Sequence, residues 1–383
     1  MKSEWPLGSL GLYLHIPFCR QKCSYCDFYS VPGASLEQLA AYVECLCAEI
    51  AAISSIDRAV PVDSIYFGGG TPSLLQSAQI GLLLDAIASR FSLTGDAEIT
   101  MEVNPATVDG KAWPAYKHAG INRISLGLQS LHNNELAVLG RIHSARTARE
   151  TILALSAAGF DNISFDLIYG IPGQTMAAWM QTLREAAGYS PQHVSMYLLQ
   201  LDAHVPLAES IVCGKLALPG EEIIETMYYQ GIDYLQQQGL VQYEISNLAS
   251  PGYACRHNLR YWQCGEYLGI GAAAVSCRGG RRWMNAADLQ VYMSGGSQAP
   301  QVILEDMDPR QQAAEAIILG LRLRKGINIE AFSRRFGFDI MQHHQEIVQR
   351  LISSRLLELE HGWLRLTKRG FLLSNQVLCH FVA

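Results

Sequence analysis

The residues with the most chemistry per position are three cysteines, Cys19, Cys23 and Cys26, in the stretch GLYLHIPFCRQKCSYCDFYS at 11–30. The spacing Cys-x3-Cys-x2-Cys is too tight for a disulfide framework. It also lacks the fourth Cys or His that a closed zinc site uses. Ten cysteines in 383 residues fall well below the density of a disulfide-stapled chain. Clustered thiolates in a reducing compartment can instead hold an iron–sulfur cluster. Three thiolates on a four-iron cubane leave one iron without a protein ligand, an open position suited to binding a small molecule. The scattered Cys45, Cys47, Cys213 and Cys379 are expected to be buried thiols.

Such a cluster needs a rigid frame. Short strand-like runs recur at 12–16, 64–68, 98–103, 123–128, 163–168 and 194–199, with amphipathic stretches such as 36–53, 82–91 and 148–160 between them. This alternation predicts βαβ units on a parallel sheet. An open or partial (β/α)6 barrel and a doubly wound sheet both satisfy it. Glu102, Gln129 and Asp166 each fall at or near the C-terminal end of a strand, where barrel enzymes place their chemistry. In YFGGGTP at 66–72, Gly69 and Gly70 allow a ligand to approach the backbone closely.

Hydrophobic residues make up 49% and charged residues 17%, enough for a sizeable core and against disorder. The net charge of −6 gives no general pull toward nucleic acid. No long apolar run predicts a transmembrane helix. The start, MKSEWPLGSLGLYLHIPF, runs directly into the cysteines, so no cleaved leader is expected and a cytoplasmic protein is. Residues 220–239 read as a helix, followed by an irregular stretch from YEISN to GIGAAAVS. After GGSQAP at 295–300, two helices, a short basic β-segment and a final helix suggest a winged-helix-like unit. The expected division is a barrel at 1–240, an extension at 241–300 and the winged-helix-like domain at 301–383. Residues 321–383 carry ten Lys/Arg against five Asp/Glu. Arg322, Arg324 and Lys325, with Arg365, Lys368 and Arg369, are expected to form a solvated or partner-facing surface. That charge is too thin for reading phosphates, so no nucleic-acid partner is expected.

The cysteine pattern, with Tyr25 just before Cys26, resembles that of the radical S-adenosylmethionine (SAM) superfamily. The resemblance implies an α/β fold, a partial (β/α)6 barrel, with a [4Fe–4S] cluster on Cys19, Cys23 and Cys26. It also implies that SAM chelates the open iron through its amino and carboxylate groups. Tyr13 in YLHIPFC, Tyr25 in CSYC, Gly70 and Thr71 in GGGTP, Glu102 in MEVNP, Gln129 in SLGLQS, Arg141 in LGRIHS and Asp166 in DLIYGIPGQT resemble SAM-site positions. The branch that these positions resemble contains the oxygen-independent coproporphyrinogen oxidase HemN and the heme chaperone HemW.

Within that branch three features match the chaperones. Asp27 and Phe28 follow Cys26 where the oxidases continue with Cys-x-Cys, and only twelve residues precede Tyr13. The segment RHNLRYW at 256–262 resembles a heme-linked His-Asn-x-x-Tyr-Trp motif, with His257 as heme ligand and Tyr261 and Trp262 stacking on the porphyrin. Cys255 and Cys264 flank it as competing ligands. One departure is Val275, in GIGAAAVS, where relatives often carry a histidine. The implied function is to bind heme and pass it to an acceptor hemoprotein, one of the respiratory chain. The alternative is an anaerobic coproporphyrinogen III dehydrogenase that removes two propionate carboxyl groups, with a winged-helix nucleic-acid binder third. Pairing of two copies of the chain stays open.

Overall fold

Six strands run in chain order through the middle of one sheet: β1 (Leu10–Ile16), β2 (Pro61–Gly69), β3 (Ser92–Val103), β4 (Arg123–Gln129), β5 (Ile163–Tyr169) and β6 (His193–Leu198). Each pairs with the next in parallel. The structure is a computed structural model and describes residues 8–53, 59–105 and 107–381. The first seven residues, part of the stretch expected to hold no leader, lie outside them. The strand order never reverses. A doubly wound sheet reverses at its switch point, so the partial (β/α)6 barrel is the architecture.

Alternation along each strand explains why these segments form it. On β1, Leu10, Leu12, Leu14 and Ile16 are all 0% exposed and join the core shared with the helix Leu36–Ala52. Gly11, Tyr13 and His15 then point to the lumen. On β3, Met101 and Val103 are buried in that same core, which turns Glu102 inward.

The sheet is widened at both edges, and the stretch 241–300 supplies most of the widening. Tyr267–Ile270 adds parallel to β1, followed outward by Val275–Arg278, Arg281–Asn285 and Gln301–Asp306. Asn247–Ala249 adds antiparallel to β6, with Val241–Gln242 beyond it. Between these strands, in the stretch expected to be irregular, lies the helix Arg256–Trp262. It packs on Asp63 and Ser64 near the start of β2 and on Glu98 midway along β3. The Glu98 carboxylate accepts from the amides of Arg256 (3.1 Å) and His257 (3.2 Å) and from the Cys255 thiol (3.4 Å). A carboxylate at a helix N-terminus satisfies free amides and opposes the helix dipole. Arg260, 2% exposed, pairs with Asp63 and donates to Ser9 O at 2.9 Å. This helix is the floor of the barrel.

The C-terminal unit has its own core, including Phe332, Leu351, Leu364 and Phe381. It contains three helices, Pro309–Gly320, Ile329–Phe336 and Ile340–Ser353, one more than expected before the wing. The wing, Leu357–Glu360 with Trp363–Leu366, pairs with Ile327–Asn328, and short helices end the chain. Its basic residues lie at the surface as expected, Lys325, Lys368 and Arg369 exposed and Arg322, Arg324 and Arg365 half-buried, but most have partners within the chain. Arg365 pairs with Glu358 and Glu360, and Lys368 reaches Asp233 of the helix Glu221–Gln237 at 2.6 Å. Arg322 lies over Trp262, Lys325 over Trp363, and Arg324 donates to Leu366 O. The scattered cysteines also differ from expectation, since Cys213 and Cys379 are exposed and Cys45 and Cys47 only partly buried. Among the described residues, no helix is long and apolar enough to cross a membrane.

Glu244, 1% exposed, bridges to Leu323 where the two units meet. Burial pushes its carboxyl up to about 7. The unfolded chain ionises first, so this group's contribution to stability is full at acid pH and is lost as pH rises through about 7. Glu244→Gln is therefore expected to raise stability at pH 8 by up to about 3 kcal/mol. It should also flatten the decline in stability across pH 5–7, read by urea unfolding at each pH. An unchanged pH slope would contradict this.

Candidate functional site

A cavity of about 370 Å³ opens at the C-terminal ends of the strands, and Cys19, Cys23 and Cys26 all line it. The loop that carries them is held from below. Ser24 donates through its amide to Leu139 O (3.1 Å) and through its hydroxyl to Val138 O (2.9 Å), and accepts from the Leu207 amide (2.9 Å). Gly140, at φ +68°, lets the chain pass; a Cβ there would sit 3.0 Å from Ser24 N. Arg141 follows directly. Its Nη1 donates to Cys23 Sγ (3.5 Å) and its Nη2 to Gly127 O (2.9 Å). Its Nε is buried with no partner among the described residues. Thr71 Oγ1 donates to Cys19 Sγ (3.3 Å). Burial pushes the Cys19 and Cys26 thiols up, so binding of a metal there must displace protons. No three His, Cys, Asp or Glu side chains among the described residues converge as they would on a single metal ion. A cubane is held at separate corners, so its thiolates need only face one cavity.

Two carboxylates line the opposite wall. Glu102 accepts from Tyr66 OH (2.8 Å) and from the Gly69 amide (3.2 Å). Burial, and secondarily the charge of Asp166, pushes it up to about 7. Asp166 accepts from Ser195 Oγ (2.7 Å) and Ser125 Oγ (2.9 Å), and burial raises it too. Gln129 lines the cavity with a left-handed backbone, φ +63°, a strained state for a residue other than glycine. A Cβ on Gly70 would sit 2.7 Å from Phe18 O, so only glycine fits this turn against β1. Tyr25 and Thr71 complete the rim.

Residues 13–186 match the Radical SAM superfamily, and residues 307–373 match the HemN C-terminal domain. The heme chaperone HemW of Lactococcus lactis subsp. lactis is 34% identical over 97% of this chain and 96% of its own. The chain belongs to the HemW family of the radical SAM superfamily. The Radical S-adenosyl methionine domain-containing protein 1, mitochondrial, of Bos taurus is 33% identical over 96% of this chain and 86% of its own. In fold, this HemW-family chain matches coproporphyrinogen III oxidase (HemN) of Escherichia coli. The TM-score is 0.82, at 22% identity, over 99% of this chain and 91% of the other.

Radical SAM membership implies a [4Fe–4S] cluster and SAM, and the residues present fit both. Three thiols face one cavity, Arg141 has an unused buried donor for a carboxylate, Gly70 leaves the backbone bare, and two carboxylates can meet a cation or ribose hydroxyls.

Of the residues singled out in this HemW-family sequence, Tyr25, Gly70, Thr71, Glu102, Gln129, Arg141 and Asp166 share the cavity with the three cysteines. Tyr13 and His257 do not line it. Tyr13 hydrogen-bonds His15 Nδ1 (3.0 Å) and stacks on Tyr66 at 6.2 Å. His257 is 1% exposed, with Nδ1 on Ser64 Oγ (3.1 Å) and Nε2 on Tyr261 OH (2.9 Å). Burial lowers it to about 3. A ring with both nitrogens engaged offers no lone pair to iron, so the heme-ligand expectation at His257 is not carried forward. Cys255, 0% exposed, is likewise enclosed. Sequence reasoning passed over Tyr66, Arg123, Ser125, Ser195 and Asn258, which line the cavity. The period-two pattern of β2, β4 and β6 placed all but Asn258 on the inward face.

Proposed function

We propose that this chain is a heme chaperone. It carries a [4Fe–4S] cluster on Cys19, Cys23 and Cys26. It binds SAM among Gly70, Thr71, Glu102, Gln129, Arg141 and Asp166, and delivers heme to an acceptor hemoprotein in the cytoplasm or at the respiratory chain. The observation that carries this reading is similarity along nearly the full chain to proteins named heme chaperone HemW. Asp27 and Phe28 after Cys26 agree with it. So does the size of the cavity: about 370 Å³ suits one nucleotide-sized ligand beside a cluster. A tetrapyrrole would then sit outside the lumen rather than beneath SAM, as a carried ligand and not as a substrate of the radical chemistry.

The test is a paired assay on the anaerobically reconstituted protein. Heme is expected to bind stoichiometrically by visible titration and to pass to an apo-hemoprotein of the respiratory chain. The same preparation, given SAM and a reductant, should leave coproporphyrinogen III unchanged. Formation of protoporphyrinogen would replace this reading with the dehydrogenase.

A further inference from the structure

Arg123 is a buried charge that the cofactor reading leaves unused. It lies on β4 opposite Thr100 of β3, is 1% exposed and lines the cavity. Its Nε has no partner, and the guanidinium makes no hydrogen bond or ion pair among the described residues. A cation held out of water without contacts is costly unless opposite charge surrounds it. Carboxylates do lie around it: Glu102 of β3 and Asp166 of β5 line the same cavity, and Ser125, two residues along β4, sits opposite Glu102 and donates to Asp166 at 2.9 Å, while Glu98 of β3 also acts on it. Tyr66 of β2, Tyr243 and the Cys255 thiol face it as neutral groups raised by burial. Burial, with this guanidinium nearby, keeps His193 of β6 and His257 of the floor helix uncharged. Arg141, the cavity's other guanidinium, is engaged with Cys23 and Gly127.

We propose that Arg123 is a positioning residue whose unpaired guanidinium is the shared counter-charge that favours the ionised forms of Glu102 and Asp166 for a cationic ligand. The inference rests on the reading of those carboxylates as SAM contacts. Two carboxylates in one dry lumen repel, and without a cation one of them keeps its proton. Glu102 already titrates near 7 with the guanidinium present, since burial outweighs it. Removing Arg123 leaves Glu102 mostly protonated at neutral pH, with no anion there to meet a sulfonium. Because the guanidinium uses no forked hydrogen bond here, an ammonium can replace it.

The test reads protonation directly, by infrared titration of the ligand-free full chain, with the Glu102 band assigned by its loss in Glu102→Gln. Arg123→Gln is expected to move the Glu102 midpoint up by about one pH unit, a tenfold change in the ionised ratio. Arg123→Lys is expected to bring it back. An unchanged midpoint in Arg123→Gln overturns the proposal, as does a folding defect that Arg123→Lys fails to rescue. Calorimetry with SAM separates the two readings. Arg123→Gln should bind about fivefold more weakly than wild type near pH 7 and recover by about pH 9. If wild type binds no SAM while the midpoint still moves, the cofactor reading fails and the counter-charge stands.

Discussion

Reconstituted anaerobically with iron and sulfide, a Cys23→Ser protein is expected to lose the broad visible absorption of an iron–sulfur cluster, whereas Cys213→Ser keeps it. The two positions differ in what surrounds them. Cys23 faces the cavity with Cys19 and Cys26, and Arg141 Nη1 lies 3.5 Å from its sulfur. A guanidinium there opposes the mutual repulsion of three sulfurs that would carry negative charge as cluster ligands. A serine hydroxyl is a harder, weaker ligand for iron, and two thiolates cannot hold a cubane that already lacks a fourth. Cys213 follows the helix Pro206–Val212 and is exposed, outside the cavity lining. Since Cys23 is only partly buried, the fold should survive the change, so far-ultraviolet circular dichroism stays near wild type. Full cluster absorption in Cys23→Ser would refute the three-thiolate assignment. Loss in both variants would point to damage in reconstitution rather than to ligation.

The second large effect concerns the floor. His257→Ala is expected to lower folding stability by about 2–4 kcal/mol, read by urea unfolding, while heme titrates with unchanged affinity and spectrum. The ring is fully enclosed, stacked 5.2 Å from Tyr66, and bonded through both nitrogens to Ser64 and Tyr261. Removing it leaves two buried hydroxyls without partners and a cavity in the lumen floor. If heme affinity fell tenfold in a variant of wild-type stability, His257 would be a ligand after all and the floor would have to open.

These two residues show how far the sequence could be read. The cysteine loop was legible because its spacing is local: Cys19, Cys23 and Cys26 carry their chemistry within one turn of chain. Glu102 and Asp166 were legible because strand alternation decides which side they face. His257 was not. Its motif gave the residue types, but whether a histidine coordinates or only supports depends on what closes over it. Here that is Ser64, nearly two hundred residues earlier in the chain. Arg123 was missed for a related reason. Its neighbours Glu98, Cys255 and Tyr243 lie on separate strands and on the floor segment, and no window of sequence brings them together. The basic C-terminal cluster does lie at the surface, but charge counts carry no information about where its acidic partners sit. Lys368 finds Asp233, and Arg365 finds Glu358 and Glu360.

The floor helix also orders events in time. Glu98 is in the first third of the chain, and the amide it caps, Arg256, comes 158 residues later. At ordinary synthesis rates that interval lasts roughly 10–30 s. Over that period the strands β1 to β6 can emerge with the cysteine loop at one end of the lumen and nothing at the other. The lower end of the lumen closes only once RHNLRYW has been made and docked. A chain truncated before residue 256 would display its cysteines on a barrel without a floor.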